Sequence, residues 1–82
     1  MMVKYTTEIF YLLSIEYLNK KNTANNKNIA EHLNVSPPSV TEMVMNLKRK
    51  NMIKFDGKEI LLTIDGENML EKFRSEFDLK KY

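Results

Sequence analysis

A serine followed by two prolines, Ser36-Pro37-Pro38, is the feature that most restricts what this chain can fold into. Proline fixes φ near the helical value and has no backbone N–H, so it suits the first turn of a helix and breaks the interior. A serine just ahead of it can offer its hydroxyl to the unpaired N–H groups of that turn. One helix therefore ends before Asn34-Val35, and another begins after a Ser36 N-cap. Val40, Val44 and Leu47, with Met43 beside them, give the new helix an inner stripe at helical spacing. Ser39, Glu42, Met45, Asn46 and Arg49 fall on its other side, and Lys48-Arg49-Lys50 closes it where positive charge complements the helix dipole.

Upstream, Tyr5, Ile9, Leu12, Leu13 and Tyr17 recur every three or four residues and predict a long first helix over Tyr5 to Leu18. Residues 19–26 have no periodicity and are rich in asparagine, which competes with the helix for backbone hydrogen bonds; they predict a loop. Asn25 or Asn26 caps a second helix, Lys27 to Leu33, that buries Ile29, Ala30 and Leu33. Downstream, Met52–Phe55 and Lys58–Leu62 flank Asp56-Gly57, which predicts a β-hairpin with a type I′ turn. Thr63-Ile64-Asp65-Gly66 then opens a last helix with Met69, Leu70, Phe73 and Phe77 as its apolar stripe. The fold class is mainly α with a small β-hairpin.

With 82 residues, 43% of them hydrophobic, the chain has material for one core, and residues 1–82 are expected to form a single domain. There is no cysteine, which excludes disulfide scaffolds, thiolate metal sites and thiol nucleophiles. The first residues lack the apolar run and cleavage site of a signal peptide, and Glu8 and Glu16 interrupt any membrane span, so a cytoplasmic protein without membrane contact is expected. Net charge is only +2, but Lys20, Lys21 and Lys27 precede the middle of the chain and Lys48, Arg49, Lys50, Lys54 and Lys58 follow it. That distribution says more than the sum.

Two helices joined by a tight turn, the second capped and polar on its outer face, then a hairpin, is the layout of a winged helix-turn-helix. The first turn of the helix after Ser36 would enter a major groove. Ser36, Ser39, Thr41 and Glu42 would reach phosphates or base edges there, with Pro38 against thymine methyls. The wing would carry Lys54 and Lys58 to the neighbouring backbone or minor groove.

Residues 28–44, from Asn28-Ile29-Ala30 through Ser36-Pro37-Pro38-Ser39-Val40-Thr41 to Val44, together with Leu47, resemble the N-terminal domain of the iron- and manganese-dependent repressors related to the diphtheria toxin repressor. Leu62-Thr63-Ile64-Asp65-Gly66 resembles the Leu-Thr-x-x-Gly start of that family's helix after the wing. The resemblance implies that Ser36, Pro38, Ser39, Thr41 and Glu42 face DNA. It also implies that Asn26, Lys27, Asn46 and Arg49 lie near phosphates. Glu42 departs from the amide or basic group common in the family; a carboxylate accepts from a cytosine amino group but repels phosphate.

The family's metals are held by carboxylates, histidine and sulfur ligands shared with a following dimerisation domain, which is not expected within residues 1–82. Lys4 and Thr7 stand where manganese-type members place carboxylates and Phe77 near a family histidine; none is an anionic ligand, so no metal and no cofactor is expected. The loop between the first two helices is also several residues longer than the family's. His32 has no companion ligand and is expected at the surface or half-buried. Ser36 and Ser39 lack a partnered His and acid, Ser14 and Ser75 lie on helices without a glycine-rich elbow, and Gly57 and Gly66 cannot build a phosphate loop. No catalytic residue is expected.

The expected partner is double-stranded DNA, bound by a transcriptional regulator, a repressor first and an activator as the alternative. A lone winged helix reads one half-site, and Phe10, Tyr11 and Ile15 on the first helix with Phe73 and Phe77 on the last offer an apolar surplus for a homodimer through the terminal helices. The competing reading is a winged helix whose recognition helix meets a protein instead of DNA, as an adaptor or inhibitor.

Overall fold

The computed structural model describes residues 6–76. Its elements run α1 (Thr6–Asn19), α2 (Asn26–Leu33), α3 (Pro37–Arg49), β1 (Ile53–Asp56), β2 (Glu59–Leu62) and α4 (Ile64–Glu76). This is a winged helix in the expected order. Asn25 is the N-cap of α2, its side chain accepting from the N–H of Asn28 at 2.8 Å. Asn34 ends α2 in the left-handed region at φ 58°, which asparagine tolerates better than most residues. Ser36 caps α3 by accepting from the N–H of Ser39 at 3.3 Å.

The core is made by Ile9, Leu12 and Ile15 of α1, Ile29 of α2, Val40, Val44 and Leu47 of α3, Ile53 and Ile60 of the hairpin, and Leu70 of α4. The stripe on α1 differs from the expected one. Tyr11 and Ile15, assigned to a surplus outer surface, are buried, while Tyr17, assigned inside, is 44% exposed. The reason is that α1 packs against α2, β2 and α4 together, so its buried face is wider than a single stripe and is rotated away from Tyr17. Leu13, Leu33, Met69 and Phe73 pack against the core half-buried. Tyr5 and Phe77 lie outside the described residues.

Tyr17 is occupied on α1's outer side. Its ring stacks on His32 with centroids 5.0 Å apart and planes 8° apart. The Lys21 ammonium donates to its hydroxyl at 2.9 Å and lies over the ring. That hydrogen bond and the Lys21 charge hold the Tyr17 phenol below its ordinary pKa, whereas burial raises that of Tyr11. His32 Nδ1 in turn lies 2.7 Å from the hydroxyl of Ser14, which is otherwise buried in apolar surroundings. His32 itself is exposed, as its position on α2 led one to expect.

The hairpin pairs Ile53 with Leu62 and Asp56 with Glu59, leaving Gly57-Lys58 as the two loop residues. Only Gly57 has positive φ, at 63°. A type I′ turn needs positive φ at both central residues, so the expected turn is corrected to the φ pattern of type II′, with glycine first. The register places Gly57, not Asp56, at the first loop position, and Lys58 keeps an ordinary backbone.

Residues 20–25 form no loose loop. Asn19 Nδ2 donates to Glu59 Oε2 at 2.8 Å and to the carbonyl of Ile60 at 2.7 Å. The Ala24 N–H donates to the same Glu59 oxygen at 3.3 Å, and the Ile60 N–H donates to the Ala24 carbonyl at 2.8 Å. At the other end of β2, Thr63 Oγ1 accepts from the N–H of Gly66 and donates to the carbonyl of Asn51. Gly66 lies against the backbone just ahead of β1: a Cβ there would sit 2.2 Å from the Met52 carbonyl oxygen. The Thr-x-x-Gly element is thus a helix cap and a close backbone approach in one.

Candidate nucleic-acid interface

Because Val40, Val44 and Leu47 anchor α3 in the core, the opposite side of the helix must face outward, and Pro38, Thr41, Glu42, Met45, Lys48 and Arg49 are all exposed there. Met45 is 53% exposed at the middle of this face. Glu42 has no hydrogen-bond or ion partner among the described residues. At the N-terminal end, Ser36 Oγ and Ser39 Oγ are 2.9 Å apart, so the two hydroxyls hold each other beside the first turn.

Each flank of α3 is tied to a different helix. On the α2 side, Asn26 Nδ2 donates to Thr41 Oγ1 at 3.2 Å, which fixes the second helix of the motif on the third. On the α1 side, Asn46 Nδ2 donates to Glu8 Oε2 at 3.3 Å, Lys50 forms an ion pair with the same oxygen, and Arg49 donates to Asn46 Oδ1 at 3.3 Å. Thr7, Tyr11, Val35, Ser39, Glu42 and Arg49 line the concavity between the start of α1 and α3.

The wing closes the other side. The Lys48 ammonium lies 5.3 Å from the centre of the Phe55 ring, which is 45% exposed. Asn26, Lys27 and Lys58 line one groove between α2 and the hairpin. Lys27, Lys48, Arg49, Lys50 and Lys58 therefore ring a face whose one outward carboxylate on α3 is Glu42. Of the eleven expected site residues, Asn26, Lys27, Ser36, Pro38, Ser39, Thr41, Glu42, Asn46, Arg49 and Lys58 come together around this face. Lys54 does not: strand alternation turns it to the far side of the wing, in a cleft with Glu16, Glu67 and Arg74.

Four residues of this face, Met45, Lys48, Lys50 and Phe55, were not among the expected contact residues, although the sequence places Met45 on the outer side of the helix and Lys48 and Lys50 at its basic end. Met45 and Lys48 follow Thr41 at helical spacing, so the pattern that named Thr41 was sufficient to name them. Phe55 left no such signal, because alternation with buried Ile53 reads as a core position.

The described residues do not by themselves fit a regulatory metal. Among the described residues no group of three His, Cys, Asp or Glu side chains is placed to hold one. Thr7 offers only a neutral hydroxyl, and the His32 nitrogen nearest a possible partner is taken by Ser14. Lys4 and Phe77 lie outside the described residues. No helix among these residues is long and apolar enough to cross a membrane.

Comparison with known proteins agrees with the winged-helix fold. The sequence family described as "Iron dependent repressor, N-terminal DNA binding domain" matches residues 7–60. No curated protein matches the chain. Among solved structures, a hypothetical protein from Sulfolobus solfataricus is similar at 31% identity and a TM-score of 0.73, over 78% of this chain and 50% of that one. MepR, a transcription regulator of the Staphylococcus aureus multidrug efflux pump MepA, is similar at 30% identity and a TM-score of 0.70, over 87% of this chain and 57% of that one. A single-substitution variant of MepR from a multidrug-resistant S. aureus clinical isolate gives 27% identity and a TM-score of 0.75, over 92% and 60% respectively. The chain thus spans between 50% and 60% of the length of these structures.

Proposed function

The chain belongs to the family of iron dependent repressor N-terminal DNA-binding domains, and from that premise we propose that it is a repressor that lays α3 in the major groove and its wing along the neighbouring backbone. It is a DNA-binding transcriptional regulator by family and by structural likeness, and not an enzyme. The observation that carries the finer reading is the exposed face of α3, which is capped at Ser36, bridged to α2 through Asn26 and Thr41, and bordered on both flanks by basic side chains.

In this reading Pro38, Thr41, Glu42 and Met45 meet base edges, where the Glu42 carboxylate accepts from a cytosine amino group and Met45 and Pro38 lie against thymine methyls. Asn26, Lys27, Ser36, Ser39, Asn46, Arg49 and Lys58 meet phosphates, which set affinity and register but not sequence. Lys54, turned to the far side of the wing, adds its charge only through the general field. Residues 1–82 act as one domain. A homodimer through the terminal helices supplies the second half-site; with Tyr11 and Ile15 buried, its apolar contacts are the exposed Phe10, the half-buried Phe73, and Phe77, which lies outside the described residues.

The test is fluorescence anisotropy with a duplex from upstream of the protein's own gene and a shuffled control, at two salt concentrations. Tight binding to the native duplex that weakens with salt and exceeds the control supports the reading. Equal, weak binding to both would favour a second reading, a winged helix that docks on a protein through Met45 and Glu42. That reading is supported by the exposure of Met45 beside an unpaired carboxylate.

A further inference from the structure

Glu8 stands in an unusual place for a carboxylate. It belongs to the first turn of α1, yet one of its oxygens accepts both from Asn46 Nδ2 on the α1 flank of α3 and from the Lys50 ammonium at that helix's C-cap. Arg49 is drawn into the same cluster because it donates to Asn46 Oδ1. Lys50 is half-exposed while Glu8 is largely covered, with side-chain accessibilities of 48% and 16%, so the cationic side of the pair meets solvent. An anionic oxygen held by an ammonium, an amide N–H and a nearby guanidinium is the arrangement that a DNA phosphate would meet on this flank.

We propose that Glu8 is a built-in competitor for a backbone phosphate: it occupies the Asn46 and Lys50 donors in the free protein and yields them to DNA on binding. The proposal rests on the DNA-binding reading above and adds a regulation of that same surface. Affinity that depends only on phosphates is then held down by the protein itself. This matters for a reader of sequence, because phosphate contacts raise binding to every sequence alike. A fixed carboxylate suits the role because it cancels the charge of Lys50 without removing the side chain.

The alternative is that Glu8 merely positions Asn46 and Lys50 for their contacts, and the two roles predict opposite signs. If Glu8 competes, Glu8→Gln keeps the shape, frees Lys50 and raises affinity for a mixed-sequence 20-base-pair duplex about three- to tenfold at low salt. The slope of log affinity against log salt stays close to that of the wild-type, because Lys50 reaches phosphate in both complexes and only the cost of releasing it from Glu8 is removed. If Glu8 only positions, the same variant binds more weakly and the slope flattens or stays.

Two controls separate the local effect from net charge. Glu76→Gln changes the total charge equally at an exposed site at the end of α4. Its gain is expected to be less than half that of Glu8→Gln. Lys50→Gln alone changes affinity little because Lys50 is already engaged, but combined with Glu8→Gln it abolishes the gain. Circular dichroism melts confirm that each variant is folded.

An equal gain for Glu76→Gln and Glu8→Gln, a gain that survives Lys50→Gln, or weaker binding by Glu8→Gln each overturns the competitor. If the wild-type and every variant fail to bind any duplex at low salt, the DNA reading falls and takes the competitor with it. Wild-type binding with an unchanged Glu8→Gln removes the competitor alone.

Discussion

Asn26 and Thr41 are joined by a hydrogen bond from the Asn26 amide to the Thr41 hydroxyl, 3.2 Å long and spanning the turn of the helix-turn-helix. Because Thr41 Oγ1 accepts this bond, its own proton remains to be donated, so Thr41 is set up as a donor on the face of α3. The bond is exposed, which limits its worth to the low end of a net hydrogen bond, about 0.5 kcal/mol. Asn26→Ala should therefore lower Tm by about 2–4 °C, at the 4–8 °C per kcal/mol usual for a domain of this size. Its effect on DNA affinity should be non-additive with Thr41→Ala. A double-mutant cycle by anisotropy checks this, and strict additivity would mean that Asn26 does not orient Thr41.

Glu42 is the outward carboxylate on α3, and its chemistry predicts a base. A carboxylate accepts from the cytosine amino group, whereas a glutamine amide pairs with the donor and acceptor of adenine. Glu42→Gln should move the preference at one position from cytosine toward adenine, with a discrimination change of about 1–3 kcal/mol. Competition against duplexes carrying each of the four bases at each position measures it. A uniform gain in affinity with no change of preference would mean that Glu42 faces phosphate.

The two glycines should respond to alanine for different reasons. At Gly66 the new Cβ would fall 2.2 Å from the Met52 carbonyl oxygen, a backbone atom that cannot swing aside, so the join between wing and α4 must shift. A loss of about 2 kcal/mol or more is expected, toward the upper range for overpacking. At Gly57 nothing lies within 4 Å, and only the φ of +63° resists, which costs about 1 kcal/mol. Thermal melts should rank Gly66→Ala below Gly57→Ala; the reverse order would mean that the Thr63–Gly66 turn relaxes freely.

The two described tyrosines should titrate apart. Burial raises the Tyr11 phenol, so the folded protein keeps a proton that the unfolded chain begins to release near the ordinary value of 10.0. Stability on Tyr11's account therefore falls as pH climbs past that value. The Lys21 hydrogen bond and charge lower Tyr17, which gives the opposite sign just below it. Tyr11→Phe is expected to reduce the loss of stability in alkali, and Lys21→Met to return the Tyr17 absorbance titration toward the ordinary phenol value. Indistinguishable ultraviolet titrations of the Tyr11→Phe and Tyr17→Phe variants would contradict both environments.

What could be read before the structure follows from where the information sits. Ser36 with its prolines, the Asp56-Gly57 pair and the Thr63-to-Gly66 element are local punctuation. Their elements begin within a residue or two of the expected places because the causes are backbone causes. The inner stripe of α3 was legible for the same reason, since Val40, Val44 and Leu47 meet a core on one side only. On α1 the periodicity misassigned Tyr11, Ile15 and Tyr17, because three neighbours bury that helix and no periodicity announces how many neighbours a helix has. The turn type failed by one residue of register. The site was legible along α3 itself, but Glu8 and Lys50 are 42 residues apart, and only the tertiary fold brings them together.

The four hydrogen bonds among Asn19, Ala24, Glu59 and Ile60 have a mechanical consequence. They moor the returning strand of the hairpin at its outer end, so only the tip around Gly57 and Lys58 projects past the anchorage. Such a wing is a short stub and not a swinging arm. A load applied to Lys58 by a bound duplex passes through Glu59 into residues 19–24 and on to the end of α1, while the hairpin itself stays stiff. The segment after α1 thereby serves as the wing's footing, and a change in its length would be felt first as a change in where the tip points.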